Sequence, residues 1–194
     1  AILLSRYSGE EDVVFGATSA GRPPALVGSE SMVGLFINTL PVRVQVSGDE
    51  LLIPWLQKLQ AQQVEAQQYE YSPLVQVQGW SEVPRDLPLF ESILVFENYP
   101  VDASLKEWST ETQIHNVRSV ESTNYSITIS ANVSRELSLE ILCDRSRFDA
   151  ASITRMLGHL QTLLEGIVAN PHQSLASLPL LTAAEIHQQL VEWN

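Results

Sequence analysis

Nucleophilic catalysis needs a Ser or Cys beside a base. The run Gly28-Ser29-Glu30-Ser31-Met32 does not fit the Gly-x-Ser-x-Gly elbow that exposes a serine at a strand-to-helix turn. The single cysteine, Cys143, falls on the apolar side of an alternating stretch and reads as core. His115, His159, His172 and His187 are scattered with no metal-ligand spacing, so no metal site is expected. His159 flanks the apolar stripe of a helix and His172 and His187 accompany polar ends, which reads as surface or boundary placement; His115, in an aperiodic segment, keeps a claim to a functional contact. Gly16, Gly21, Gly28 and Gly34 precede no Lys-Ser/Thr and form no Gly-x-Gly-x-x-Gly, which argues against a phosphate cradle. The acidic residues are spread over every segment, as on a solvated surface, rather than paired for acid/base work.

These residues must be positioned by a chain of 194 residues, long enough for one domain with a real core. A net charge of −12 would repel phosphate backbones and anionic lipid, so nucleic acid and membrane are poor partners. One cysteine allows no internal disulfide, no apolar run approaches the roughly 18 residues that cross a bilayer, and no leader is visible. A reducing, cytoplasmic setting is therefore expected. The chain opens on apolar Ala1-Ile2-Leu3-Leu4 without a cap, like the tail of an element that began earlier.

Asp12 to Ala17, with apolar residues in succession, predicts a strand inside a sheet. Thr18 to Val33 turns to Gly, Ser and Pro and predicts an irregular loop of about 15 residues, a length usually reserved for function. Leu35 to Val46 reads as a second strand, ending in the alternation Val42, Val44, Val46. Leu52, Trp55, Leu56 and Leu59 predict a helix running to about Tyr69, with Pro54 in its opening turn. Phe90 to Phe96 reads as a buried strand stopped by Asn98-Tyr99-Pro100. Tyr125 to Val133 and Leu137 to Cys143 alternate on either side of a turn near Ser134 and Arg135, predicting a hairpin with one buried, apolar face. Asp149 caps a helix striped by Ile153, Met156, Leu157, Leu160, Leu163, Leu164 and Ile167, with Pro171 just beyond it. Thr182 and Glu185 form a capping box for a short last helix.

Two runs carry a resemblance. Val13-Val14-Phe15-Gly16-Ala17-Thr18-Ser19-Ala20-Gly21-Arg22-Pro23 and Gly34-Leu35-Phe36-Ile37-Asn38-Thr39-Leu40-Pro41-Val42-Arg43 strongly resemble the condensation domain of nonribosomal peptide synthetases. The second run matches the family's Gly-x-Phe-Val-Asn-Thr motif with Ile37 as a conservative variant. Tyr71-Ser72-Pro73-Leu74, Phe90 to Pro100 and Phe148-Asp149 resemble the same family in the same order, so the likeness covers nearly the whole chain. The stretch Ser19-Ala20-Gly21 departs from the usual Val-Ser-Gly, and Cys143 stands where an aromatic is common.

The resemblance implies an α/β chloramphenicol-acetyltransferase-like lobe, a mixed β-sheet packed with helices. It also implies a half-enzyme, because the family's His-His-x-x-x-Asp-Gly motif belongs to its N-terminal lobe and no histidine pair occurs here. Residues 1–181 would be the C-terminal lobe, and residues 182–194 the start of a linker toward an adjacent adenylation domain. No catalytic residue is expected in this chain. Gly21, Arg22 and Pro23 would belong to a crossover flooring the tunnel between lobes, and Gly34, Phe36, Asn38 and Thr39 to a motif at its acceptor side, with Asn38 fixing local backbone. The stretch from about Asp102 to Ser122 falls where the family sends a latch to the other lobe. The implied partners are the N-terminal lobe and the donor and acceptor carrier domains. Phosphopantetheine arms on those carriers would deliver the substrates, and no cofactor would be bound directly. Two rivals fit the same residues: an epimerisation-type domain of the superfamily, and a non-catalytic carrier-docking module. The histidine motif upstream, intact or degenerate, separates catalysis from docking.

Overall fold

The computed structural model describes residues 1–22, 26–97, 123–133 and 136–193. Pro23, Asn98 to Pro100, the Asp102 to Ser122 segment with His115, and the turn at Ser134 and Arg135 lie outside the described residues. The apolar opening belongs to a helix, α1 (Ile2–Ser8), whose Ile2 and Leu3 are buried. Strands β1 (Asp12–Ser19) and β2 (Asn38–Gln45) then pair antiparallel along their full length, Asp12 opposite Gln45 and Ser19 opposite Asn38. Helix α2 (Leu52–Ala66) carries Pro54 in its first turn, where the missing N–H has no intrahelical partner to lose, and tightens into a 3₁₀ turn at Gln67–Tyr69.

Helix α3 (Leu74–Trp80) precedes β3 (Ser92–Glu97), β4 (Ile127–Val133) and β5 (Leu137–Cys143). Helix α4 (Ala150–Ala169) starts at Asp149, whose carboxylate accepts from Ser152 N at 2.8 Å. Helix α5 (Ala183–His187) has the expected Thr182/Glu185 capping box and runs on through a π turn at Gln188–Glu192. The strand order is β2-β1-β3-β4-β5, parallel at β1/β3 and β3/β4 and antiparallel at the two outer pairs. This is the mixed sheet packed with helices that the resemblance implied.

Register explains where the core lies. Val13 stands opposite Val44 and Phe15 opposite Val42, so these four share a face, and Val13, Val42 and Val44 are buried against Leu52 and Trp55 of α2 and Leu163 of α4. The chain returning from α4 closes this core with Leu175 and Leu178. That segment is tied down by backbone bonds, Leu52 N to Gln173 O at 3.0 Å and Leu175 N to Glu50 O at 2.9 Å, and by Arg6 Nη2 donating to Leu175 O at 2.8 Å. A mid-helix glycine costs about 1 kcal/mol relative to alanine, yet α4 needs Gly166: a Cβ there would sit 2.5 Å from Pro179 Cδ. The outer edge of β2 is covered by α2, since Trp55 Nε1 donates to Gln45 O at 2.7 Å and Gln62 Nε2 to Arg43 O at 2.9 Å. These two edge carbonyls, which could otherwise pair with another strand, are thus occupied.

Four expectations change. The second strand starts at Asn38, because Leu35 and Ile37 are exposed parts of the preceding loop. The hairpin is not buried on its apolar face alone: β4 is interior to the sheet, and its polar Thr128 is 2% exposed, bonded through Oγ1 to Thr123 Oγ1 at 2.7 Å. Cys143 is half-buried at the end of edge strand β5 rather than core. His159 is neither surface nor boundary; it is 6% exposed inside α4. No helix of the described residues is long and apolar enough to cross a membrane, and among them no group of three or more His, Cys, Asp and Glu could hold a metal ion.

Candidate functional site

The pairing of β1 with β2 decides what the loop between them can do. Ser19 and Asn38 face each other across the last pair of the ladder, so the residues just after one and just before the other meet at the neck of the loop. Gly21 and Phe36 come together there. Gly21 has φ +62°, a left-handed conformation that L side chains rarely adopt, and a Cβ on it would collide with the Phe36 carbonyl oxygen. Its N–H donates to Ser19 Oγ at 3.2 Å.

Arg22 staples the loop from inside. Its Nη1 donates to the carbonyls of Ser29 and of Met32, the latter at 3.1 Å, and its guanidinium lies 4.3 Å from the centre of the Phe36 ring. The planar cation thus joins a 3₁₀ turn at Ser29–Ser31 to the second motif by hydrogen bonds and a cation–π contact. Ser29 is buried by this arrangement, while Val27, Val33 and Leu35 stand in water, Leu35 being 90% exposed. The loop therefore combines a fixed frame with an apolar outer surface that the described residues leave exposed.

Asn38 works on the opposite side of the neck. Its Nδ2 donates to the carbonyls of Glu70 and Ser72, each at 2.8 Å, and its Oδ1 accepts from Thr39 N at 2.9 Å. One amide thus fixes the start of β2 and the turn between α2 and α3, where Ser72 is buried and Tyr71 exposed. Thr39 pairs with Thr18 in the ladder, and Gly34 is exposed, 3.5 Å from the Phe36 ring if a Cβ is added. The structure brings Gly21, Arg22, Phe36 and Asn38 to one neck; Ser19, Ser29 and Met32, and the carbonyls of Glu70 and Ser72, are partners that the sequence does not single out. Backbone acceptors leave no signature in a sequence, so only the spacing of the two motifs hints at the convergence. Among the described residues, no titratable side chain is seen joining these residues in a bonded acid/base pair, and the arrangement positions backbone and surface rather than moving protons.

Replacing Asn38 by Leu leaves two carbonyls without their donor. With a cost of about 1 to 3 kcal/mol for a buried polar group left unsatisfied, Asn38→Leu in a complete domain is expected to lower the urea midpoint and turnover together. Unchanged stability with abolished turnover would assign the amide a direct part in the chemistry.

A groove of about 940 Å³ lies elsewhere, at the β5 edge, between Leu137 and Leu139 of β5 and Leu157, Leu164 and Val168 of α4. None of the neck residues lines it.

A family model described as Condensation domain matches residues 1–191. The chain belongs to the condensation domain family. Among curated relatives of this condensation domain chain, a linear gramicidin synthase of Brevibacillus parabrevis is 50% identical over all 194 residues, and chondramide synthase cmdD of Chondromyces crocatus is 40% identical over the same length. The chain spans 2% of the first and 5% of the second. Among solved structures, a holo four-domain nonribosomal peptide synthetase bound to AMP and glycine superposes with a TM-score of 0.77 over 95% of this chain and 15% of its own, at 20% identity. The starter condensation domain of rhizomide synthetase gives 0.70 over 93% and 41%, at 18% identity. At those identities the likeness is one of fold, the chloramphenicol-acetyltransferase-like architecture that the condensation domain family shares.

Proposed function

We propose that this chain is the C-terminal lobe of a peptide-bond-forming condensation domain in a nonribosomal peptide synthetase. In that role it forms one wall of a tunnel in which a carrier-bound acceptor amine meets a carrier-bound donor thioester. The amine nitrogen attacks the thioester carbonyl, the C–N bond forms as the C–S bond breaks, and the amine proton balances the departing phosphopantetheine thiol. The base and oxyanion contacts come from the His-His-x-x-x-Asp-Gly motif of the N-terminal lobe, and this chain contributes geometry. The loop with Gly21, Arg22 and Pro23 crosses toward that lobe as the tunnel floor, while Gly34, Phe36, Asn38 and Thr39 hold the acceptor side.

The observation that carries this reading is the loop itself, framed by Arg22 on Phe36 yet presenting Val27, Val33 and Leu35 to water. An apolar surface on a rigid frame suits burial against a second body rather than lifelong exposure. Donor and acceptor carriers and an adenylation domain reached through residues 182–194 are the implied partners, in the cytoplasm. The names of the relatives, a linear gramicidin synthase and a chondramide synthase, and of a nonribosomal peptide synthetase among the solved structures, support the same assignment.

The test is complementation. With loaded donor and acceptor carriers, the 194-residue chain alone is expected to give no condensation above background, and addition of the purified N-terminal lobe to restore it. Turnover by the isolated chain would overturn the half-enzyme reading and direct attention to His115, Glu97 and Asp149 as bases.

A further inference from the structure

Among the described residues, His159 is a buried titratable side chain that the proposed chemistry leaves unused. It sits in α4 with both ring nitrogens engaged by other helices. Nδ1 lies 2.7 Å from the Tyr7 hydroxyl of α1, and Nε2 lies 2.9 Å from both carboxylate oxygens of Glu185 in α5. The Tyr7 and His159 rings stand 5.8 Å apart at 58°. A carboxylate only accepts, so Nε2 carries a proton, and the Tyr7 hydroxyl serves Nδ1 in either state because it can donate or accept.

Glu185 is also the residue that closes the capping box. The same carboxylate accepts from Thr182 N at 2.8 Å and Thr182 Oγ1 at 2.7 Å. One side chain therefore starts α5 and binds it to the lobe. A capping box needs only a local partner; the reach to a histidine on another helix, itself held by a tyrosine on a third, goes beyond what starting a helix demands. Ile186 is exposed on the helix so held, Leu190 and Val191 on its π turn, and Trp193 just beyond it.

We propose that Tyr7, His159 and Glu185 form a proton-releasable clasp that locks the terminal helix α5 to α1 and α4 and so sets the direction in which its apolar face is presented. His159 of α4 faces Glu185, with Thr182 as its neutral partner on the same turn, and Tyr7 of α1 feels both Glu185 and Arg155 of α4. The Thr182 backbone N–H, then its hydroxyl, hold the Glu185 carboxyl below the usual carboxylate range, with desolvation opposing and His159 assisting. A carboxyl depressed on folding adds stability that is full above its unfolded value and is lost as pH falls through its folded one. Acid is therefore expected to open the clasp, and neutral pH to keep it shut.

Hydrogen-exchange mass spectrometry on the protein that carries this chain tests the clasp, comparing peptides spanning 183–193 with those of β4 and β5. His159→Leu is expected to lower protection of 183–193 about tenfold or more while the strands stay protected, and His159→Gln, which keeps a donor toward Glu185, to recover most of it. Tyr7→Phe removes one hydroxyl from a half-exposed side chain and is expected to loosen the same peptide through the ring. Protection factors followed downward in pH are expected to fall in 183–193 before the strands, and Glu185→Gln to abolish that early step even as the Asp149 cap of α4 still titrates. Loss of protection in strands and helix alike on His159→Leu, together with no change in 183–193 on Tyr7→Phe, would reduce His159 to a core residue and overturn the proposal. An acid response of 183–193 that persists in Glu185→Gln would overturn its proton-gated part.

Discussion

Gly21→Val is expected to abolish the function of the neck while leaving the sheet folded. Gly21 holds φ +62° and lies against the Phe36 carbonyl, so a side chain meets both backbone strain and a collision. The left-handed region alone costs an L residue roughly 1 to 2 kcal/mol. The collision cannot be relieved by a rotamer change, because the obstructing atom is backbone. Relief requires Phe36 to withdraw, and Arg22 then loses its ring partner or its hold on the Ser29 and Met32 carbonyls. If the loop with Gly21 and Arg22 floors the reaction tunnel, misplacement of about 1 Å is enough for a loss of about a hundredfold in condensation turnover. Hydrogen exchange in β1 and β2 is expected to remain near wild type, with the change confined to residues 26–37. Full turnover in the valine variant would show that the loop is a spacer. Gly21→Ala already places a Cβ against the Phe36 carbonyl and is expected to lose most of the same turnover.

Leu52→Ala is expected to be the most damaging single truncation for stability. Leu52 is 0% exposed and begins α2 at the junction of β2, α2 and the returning segment, next to the equally enclosed Leu175. Removing a buried leucine to alanine costs about 2 to 5 kcal/mol, the higher end where surroundings cannot collapse. Here collapse is restrained, since Leu52 N is bonded to Gln173 O and the neighbouring Leu51 bridges Ser174. The measurement is the denaturant midpoint, with about 2 to 4 °C of Tm expected per kcal/mol in a chain of this size. Leu52→Met conserves volume and is expected to cost under about 1.5 kcal/mol. A loss from Leu52→Ala no greater than from truncating half-exposed Ile53 would place the centre of the core elsewhere.

Much of the architecture is legible in the residues. The alternation around Val42, the stripe from Ile153 to Ile167 with Asp149 before it, and the Thr182/Glu185 box are local signals, each set by side chains within a few positions of one another, and each corresponds to an element of the structure. Helix α3 escapes such a reading because Leu74 to Trp80 is Gln-rich, ends at a Gly-Trp pair and has no buried residue to print a period. The sequence pattern starts the second strand at Leu35 rather than Asn38 because Leu35 and Ile37 are as apolar as strand residues, though both are exposed among the described residues.

What the sequence determines on its own is the set of elements other than α1 and α3, their order and the motifs Gly21-Arg22 and Gly34 to Thr39, because propensity, capping and periodicity act over a turn or a strand and are written in adjacent residues. Tertiary structure decides which of these meet. Arg22 reaches Phe36 because the β1/β2 register brings the loop's two ends together, and Asn38 finds the carbonyls of Glu70 and Ser72 across 32 and 34 residues of chain. His159 reads as a boundary residue in the sequence because its partners, Tyr7 and Glu185, lie 152 and 26 residues away, and a polar residue beside an apolar stripe looks solvent-bound until packing supplies acceptors and donors for both its nitrogens. Burial of a polar group is stable only when its hydrogen bonds are met, and whether they are met is a property of the folded neighbourhood rather than of the residue or its sequence neighbours.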